Sequence, residues 1–332
     1  MGGRLSVLMV QSAFSAEDYR DENAFGNRVL GFFEGMSRGT EPGPELVVFP
    51  ELTGLWLPLL RNRSPRSVAA LAAGTVLRRP WQALLSLARG RGLSFAFLSG
   101  WRDSFHSWIE PFREAARRHR VYVCPGSAFL PELDWEVATG WHARGPGIYN
   151  TSCLISPRGR LLGLTRKVRL TAEERRLGIR PGQAAELLPY QTELGKVGIL
   201  ICLDGFHQEA VARMDRLGCQ ILVQPSANGK SWQRPPRRGT HISQEEEWLS
   251  QGLGSLIQGR ESIQLAVNPM SVSEVLGHRD EGRSSAFLNL ALGAAARGRG
   301  RLPERYRRYP GLCALAGSCD GEQRVMVPAR LR

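Results

Sequence analysis

The stretch KVGILICLDGFHQEAVARMDRLGCQILVQPSANG, residues 196–229, constrains the fold more than any other part of the chain. Val197 to Ile201 is a nearly continuous apolar run, the pattern of a strand buried on both faces. Asp204 and Gly205 then supply turn chemistry, and Ala210, Val211, Met214 and Leu217 recur at roughly helical spacing, so a helix is expected over His207–Leu217. A further strand is expected over Gln220–Gln224. Cys202 falls where the first strand turns into the helix. A thiol at such an elbow lies near the positive end of a helix dipole, with backbone N–H groups able to face an oxyanion, which favours thiolate formation and acyl transfer. The competing expectation is packing, because free cysteine is among the most buried residue types.

Two other apolar runs end in chemistry. Leu46 to Phe49 leads through Pro50 to Glu51, and Leu161 to Thr165 leads through Arg166 to Lys167, with Glu174 seven residues on. The lysine is informative because Lys167, Lys196 and Lys230 are the only lysines, leaving 41 (44 minus 3) of the basic residues as arginine. Arginine does not give up its proton and lysine can, so a lysine kept among so many arginines suggests a chemical requirement, and Lys167 is the candidate. The formal net charge of +13 is spread along the whole chain, which argues for composition bias and against a nucleic-acid partner.

The motifs FPE, RKxxxTxxE and ICLDG, with Glu51, Lys167 and Cys202 each at the end of a β-run and in that order, resemble the carbon–nitrogen hydrolase family, the nitrilase superfamily. The resemblance runs roughly from residue 4 to residue 290. It implies an α/β fold, a four-layer α-β-β-α sandwich, that dimerises through one helical layer, often with further assembly. It also implies roles: Cys202 as nucleophile, Glu51 as proton shuttle, Lys167 and the Leu203 N–H as oxyanion donors. Glu174 would position the lysine and the attacking water, with Glu173 the neighbouring alternative. Loops near the strand ends make Trp56, Tyr149, Asn150, Ser226 and Asn228 substrate-binding candidates, although Trp56 can equally be a packing residue.

Asp204, two residues after the nucleophile, favours the branch that hydrolyses small amides or N-carbamoyl compounds with release of ammonia. The TxxER segment leans toward nitriles. A catalytically inactive binding or regulatory protein on the same scaffold is a further alternative. No cofactor is expected, since GxGxxG and the P-loop pattern are missing, and no metal, since the histidines show no HExxH or short-spaced cluster. Six cysteines without a CxxC pair point to a reducing, cytoplasmic setting, and no apolar segment is long enough to cross a bilayer.

Further strands are expected over Arg4–Gln11, Val121–Ala128, Tyr149–Ser156, Ile263–Asn268 and Ser284–Asn289, and helices over Asn23–Met36, Trp108–Arg118 and Glu245–Glu261. Residues 1–293 are expected to form the hydrolase domain. A helical insertion is expected at about 57–105, containing Val68–Leu77 and Trp81–Ala88. Residues 294–332 form a basic C-terminal extension, expected as a solvated arm with VMVPARL as an edge strand.

Overall fold

The computed structural model describes residues 4–36, 44–60, 94–98, 100–136, 140–235, 240–293, 295–296 and 302–331. The expected helices Val68–Leu77 and Trp81–Ala88, and with them most of the expected insertion, lie outside the described residues.

Side-chain alternation along the first strand shows how the layers arise. In β1 (Arg4–Gln11), Leu5, Val7 and Met9 face one apolar cluster, whereas Leu8 and Val10 face another. A strand with two apolar faces needs cover on both sides. Parallel to β1 runs β2 (Leu46–Val48), and parallel to that β3 (Tyr122–Cys124). Antiparallel neighbours β5 (Gly140–Ile155), β4 (Ser127–Glu136) and β6 (Leu161–Arg166) extend the sheet. On the other flank, β16 (Gln323–Arg330) pairs with β1 along its whole length, and β14 (Ala295–Ala296) pairs with β16.

The second sheet has the order β15 (Leu312–Leu315), β13 (Ser285–Leu288), β10 (Leu265–Asn268), β9 (Ile221–Val223), β8 (Gly195–Ile199), β7 (Tyr190–Thr192). Its centre, β8–β9–β10, is parallel, with Val197, Ile221 and Leu265 in register. A small hairpin, β11 (Glu274–Val275) with β12 (His278–Arg279), stands apart.

The two sheets pack face to face through Val7, Met9, Val48, Ile199, Val223 and Val267. On the outer face of the first sheet lie α1 (Glu22–Gly31) and α4 (Trp101–His119), whose Phe25, Val29, Trp108 and Phe112 pack on Val47, Phe49 and Val123. Short helices α2 (Leu57–Leu60) and α3 (Phe95–Leu98) lie in the chain between them. The outer face of the second sheet is covered by α6 (Gln208–Arg216), α7 (Gln244–Gln251) and α8 (Leu253–Leu256). From these helices Val211, Met214, Leu249 and Leu253 pack on Leu222, Ala266 and Phe287. Helix, sheet, sheet, helix is the four-layer α-β-β-α sandwich expected from the sequence. Among the described residues no helix is long and apolar enough to cross a membrane.

Local differences from expectation have physical causes. The helix expected over Glu245–Glu261 breaks at Gly252, whose backbone is extended and lies so close to Trp248 that a Cβ there would meet the Trp248 carbonyl oxygen at 2.4 Å. Val121–Ala128 splits into two strands at Pro125-Gly126, where Gly126 takes φ +83°. The C-terminal residues are packed rather than forming a solvated arm. Tyr306 and Tyr309 join the core beneath the second sheet, and Val327 and Ala329 of β16 join the core between the sheets. Beyond β16 only the two-residue β14 pairs, with Ala329 and Arg330, so over the rest of its length β16 is the outer strand of the sheet among the described residues, as expected for VMVPARL.

Candidate active site

Glu51 follows β2 and is fixed by the turn beyond it. Leu52 adopts φ +65°, a left-handed conformation that a branched side chain takes only where the surroundings hold it. Here its N–H donates to Ser127 Oγ at 3.0 Å, the Thr53 hydroxyl donates to the Pro125 carbonyl, and Trp108 Nε1–H donates to Thr53 Oγ1 at 3.0 Å.

Lys167 comes directly after β6. Its N–H donates to the Asn150 carbonyl at 2.8 Å, and its carbonyl accepts from the Gly182 N–H at 2.8 Å. Glu174 lies in α5 (Ala172–Arg176), where it completes a capping box with Thr171. The Thr171 N–H donates to Glu174 Oε2 at 2.8 Å. Glu174 is buried while Glu173 is exposed, which separates the two candidates.

Cys202 opens a 3-10 turn, Cys202–Phe206, at φ +48°. A non-glycine residue in this region carries about 1–3 kcal/mol of strain, held here by Cys202 N–H to the Pro225 carbonyl at 2.9 Å and Gln224 Nε2–H to the Cys202 carbonyl at 2.7 Å. Helix α6 begins only at Gln208, so the cysteine does not sit on that helix's N-terminus, as the sequence suggested. Asp204, two residues after the cysteine, clips this turn to the lysine loop. Its carboxylate accepts from the N–H groups of Val168 at 3.1 Å and Arg169 at 2.7 Å.

These elements bring Glu51, Lys167, Glu174 and Cys202 together, each with at most 6% of its surface exposed. Lys167 Nζ lies 2.7 Å from Glu51 Oε1 and 2.9 Å from Glu174 Oε2. Asn150 Nδ2 donates to Glu51 Oε1 at 2.8 Å and to Glu174 Oε1 at 2.7 Å. Glu51 Oε2 accepts from the Ala227 N–H at 3.2 Å, the Cys202 thiol donates to the Ala227 carbonyl oxygen at 3.7 Å, and Glu51 and Cys202 are near enough to shift each other's protonation.

One ammonium therefore faces two carboxyl groups and a thiol in a pocket nearly closed to water. Burial, the neighbouring Glu51 and Glu174 outweigh Lys167 and push the Cys202 thiol well above its ordinary pKa. This overturns the expectation that the position itself favours thiolate: at rest the sulfur keeps its proton. Burial also raises Glu51, against the pull of Lys167 and with the push of Glu174. Burial alone would lower Lys167, but the neighbouring Glu51 and Glu174 carboxylates hold it above its ordinary value, so it stays charged. Burial pushes the Asp204 carboxyl up to about 6, against the Val168 and Arg169 N–H groups that stabilise its charge.

The expected substrate contacts divide. Leu203 sits in the nucleophile turn, and its N–H has no protein acceptor among the described residues, as an oxyanion donor requires. Asn150 is at the site but committed to the two acids. Tyr149, its neighbour on β5, faces the other way, under the Arg166 guanidinium at 5.0 Å from the ring centre. Ser226 is fully buried, donating to the Gln224 carbonyl at 3.1 Å, and Asn228 braces its loop through the Lys230 and Glu281 carbonyls. Trp56 packs against the core beneath α1 and α4. Among the described residues, none of these last four has a hydrogen bond or ion pair to the four converging residues. A cavity of about 560 Å³ lined by Trp232, Ser243, Glu245, Arg283, Tyr306 and Cys319 contains none of the four either. Sequence reasoning missed the bridging of Asn150 and the clip made by Asp204. Both residues stood out in the sequence, but their partners are distant in the chain.

Comparison with known proteins bears on this constellation. The chain is 32% identical over 120 residues to an omega-amidase of Danio rerio, covering 34% of this chain and 39% of that protein. It is 31% identical over 135 residues to a cyanide hydratase of Aspergillus niger, covering 40% and 34% respectively. The chain thus spans little more than a third of the length of these curated relatives. Among solved structures, a carbon-nitrogen hydrolase from Helicobacter pylori superposes with a TM-score of 0.63 at 17% identity, covering 98% of this chain and 89% of that one. An amidase from Nesterenkonia sp., solved with the acetamide moiety of fluoroacetamide covalently added at its active-site cysteine, superposes with a TM-score of 0.56 at 15% identity, with coverage of 98% and 89%. At such identities the structures speak for the fold alone. The family model described as carbon-nitrogen hydrolase matches residues 19–245, which is more than half of the sequence, and the chain belongs to that family.

Proposed function

We propose that this protein is a thiol hydrolase that cleaves the C–N bond of a small amide or N-carbamoyl compound through a Cys202 thioester, without a metal or cofactor. The observation that carries the proposal is the meeting of Glu51, Lys167, Glu174 and Cys202 around one buried thiol. An amide carbon is a poor electrophile, so its cleavage calls for a strong nucleophile, a proton shuttle and positive charge at the developing oxyanion.

Glu51 takes the thiol proton as sulfur attacks the carbonyl carbon, and the carbonyl oxygen becomes an alkoxide facing Lys167 and the Leu203 N–H. Collapse breaks the C–N bond, and Glu51 hands its proton to the departing nitrogen, which leaves as ammonia. Water then gives a proton to Glu51 and attacks the thioester, releasing the acid and restoring the thiol. Glu174 keeps the lysine ammonium in place throughout.

The omega-amidase relative supports this reading. A second reading, nitrile hydrolysis, is supported by the cyanide hydratase and by Nitrilase 2 of Arabidopsis thaliana, 29% identical over 126 residues. The deciding experiment is ammonia release from a panel of amides, N-carbamoyl compounds and nitriles. Amides or carbamoyl compounds are expected to be turned over, and Cys202→Ala is expected to lose activity on the order of a thousandfold. Full activity in Cys202→Ala sinks the mechanism, and ammonia from nitriles alone replaces the first reading by the second.

A further inference from the structure

We infer that Asn150 is a positioning residue that holds Glu51 and Glu174 as a charged pair and reserves one Glu51 oxygen for the thiol proton. Its single amide nitrogen gives its two hydrogens to two different acids, Glu51 Oε1 at 2.8 Å and Glu174 Oε1 at 2.7 Å. Lys167 closes the ring from the other side, on Glu51 Oε1 and Glu174 Oε2. Glu51 Oε1 therefore accepts twice, while Oε2 accepts from the Ala227 N–H and keeps an acceptor position open to the thiol proton.

The amide oxygen of Asn150 is buried and has no partner among the described residues. That asymmetry fixes the orientation of the group, because turning it over would set its oxygen against two carboxylates in a dry pocket. An amide that recognised substrate would keep a donor free for it, whereas both hydrogens here are committed to the protein. Hydrogen bonds to ionised carboxylates favour the ionised form, so Asn150 works against the burial and mutual repulsion that raise Glu51.

The inference rests on Glu51 as the base for Cys202, and its test needs no substrate. The rate at which iodoacetamide alkylates Cys202, read by peptide mass spectrometry across pH, should fall on the acid side as Glu51 is protonated. In Asn150→Leu, of similar volume but without donors, that acid limb is expected to move up by about one pH unit, making labelling roughly tenfold slower below it. Asn150→Ser keeps one donor and should fall between. A limb that does not move in a folded variant overturns the inference, whatever happens to the plateau, because a merely structural role would lower the plateau alone. Should neither variant fold, the side-chain amide resonances of Asn150 in the unaltered protein decide: they should titrate with the labelling midpoint, and resonances indifferent to pH overturn the inference. If no amide is hydrolysed while the limb still moves, the hydrolase reading fails and the role of Asn150 stands.

Discussion

At the scale of single residues, the pH dependence belongs to Glu51. Its carboxyl must be ionised to accept the thiol proton, and burial holds its pKa above the ordinary 4.5. Activity is therefore present above that raised value and lost as pH falls through it, so the acid limb of kcat/KM should lie above pH 4.5. Glu174→Gln removes a neighbouring negative charge that raises Glu51, and a pH–rate profile should show the limb at lower pH. Lys167→Arg keeps the charge but puts a planar, larger group into a site that is 1% exposed, and kcat should drop by at least about a hundredfold. Glu51, Lys167 and Cys202 are legible in the sequence because each follows a run whose burial is itself legible, and Glu174 is legible through the RKxxxTxxE motif. Which of Tyr149 and Asn150 faces the acids is not, because neighbours on a strand point to opposite sides and neither residue type declares its side. The direction of the thiol's shift is hidden for a similar reason: its burial, and the two carboxyl groups that add to it, come from distant parts of the chain.

At the scale of elements, two short connections set the geometry of the site. Asp204 ties the nucleophile turn to the lysine loop, and Asp204→Ala leaves the Val168 and Arg169 N–H groups without their acceptor. A stability loss of about 2 kcal/mol is expected in urea melts. Turnover should suffer more than iodoacetamide labelling of Cys202, since the lysine is displaced while the thiol and Glu51 keep their contact. The other connection is the junction of β3 and β4. A Cβ on Gly126 would lie 1.9 Å from the Pro50 carbonyl oxygen, at a backbone angle that side chains rarely adopt. Gly126→Ala should push the Glu51 turn aside, with a stability loss of about 1–3 kcal/mol and a fall in kcat, both measured on the purified variant. Strand existence was readable here from the apolar runs. The break at Pro125-Gly126 was not, because Gly126 is required by contact with a turn some 75 residues away.

At the scale of the whole molecule, the last described strand is part of the first sheet. Since β16 pairs with all eight residues of β1 and adds Val327 and Ala329 to the core between the sheets, removing residues 323–332 should leave a chain that circular dichroism and solubility show to be misfolded. The basic composition of the tail hides this, since Arg324 and Arg330 flank the buried Val327 and Ala329 within the strand. A homodimer is expected by analogy with the family and is checked by sedimentation. The base and the nucleophile come from different sheets: Glu51 is delivered by β2, Cys202 by the end of β8. Chemistry thus acts as a vernier on the alignment of the two halves of the sandwich. A slip too small to register as melting would already part sulfur from carboxylate, so on warming, turnover should fade before the spectroscopic signal of the fold does.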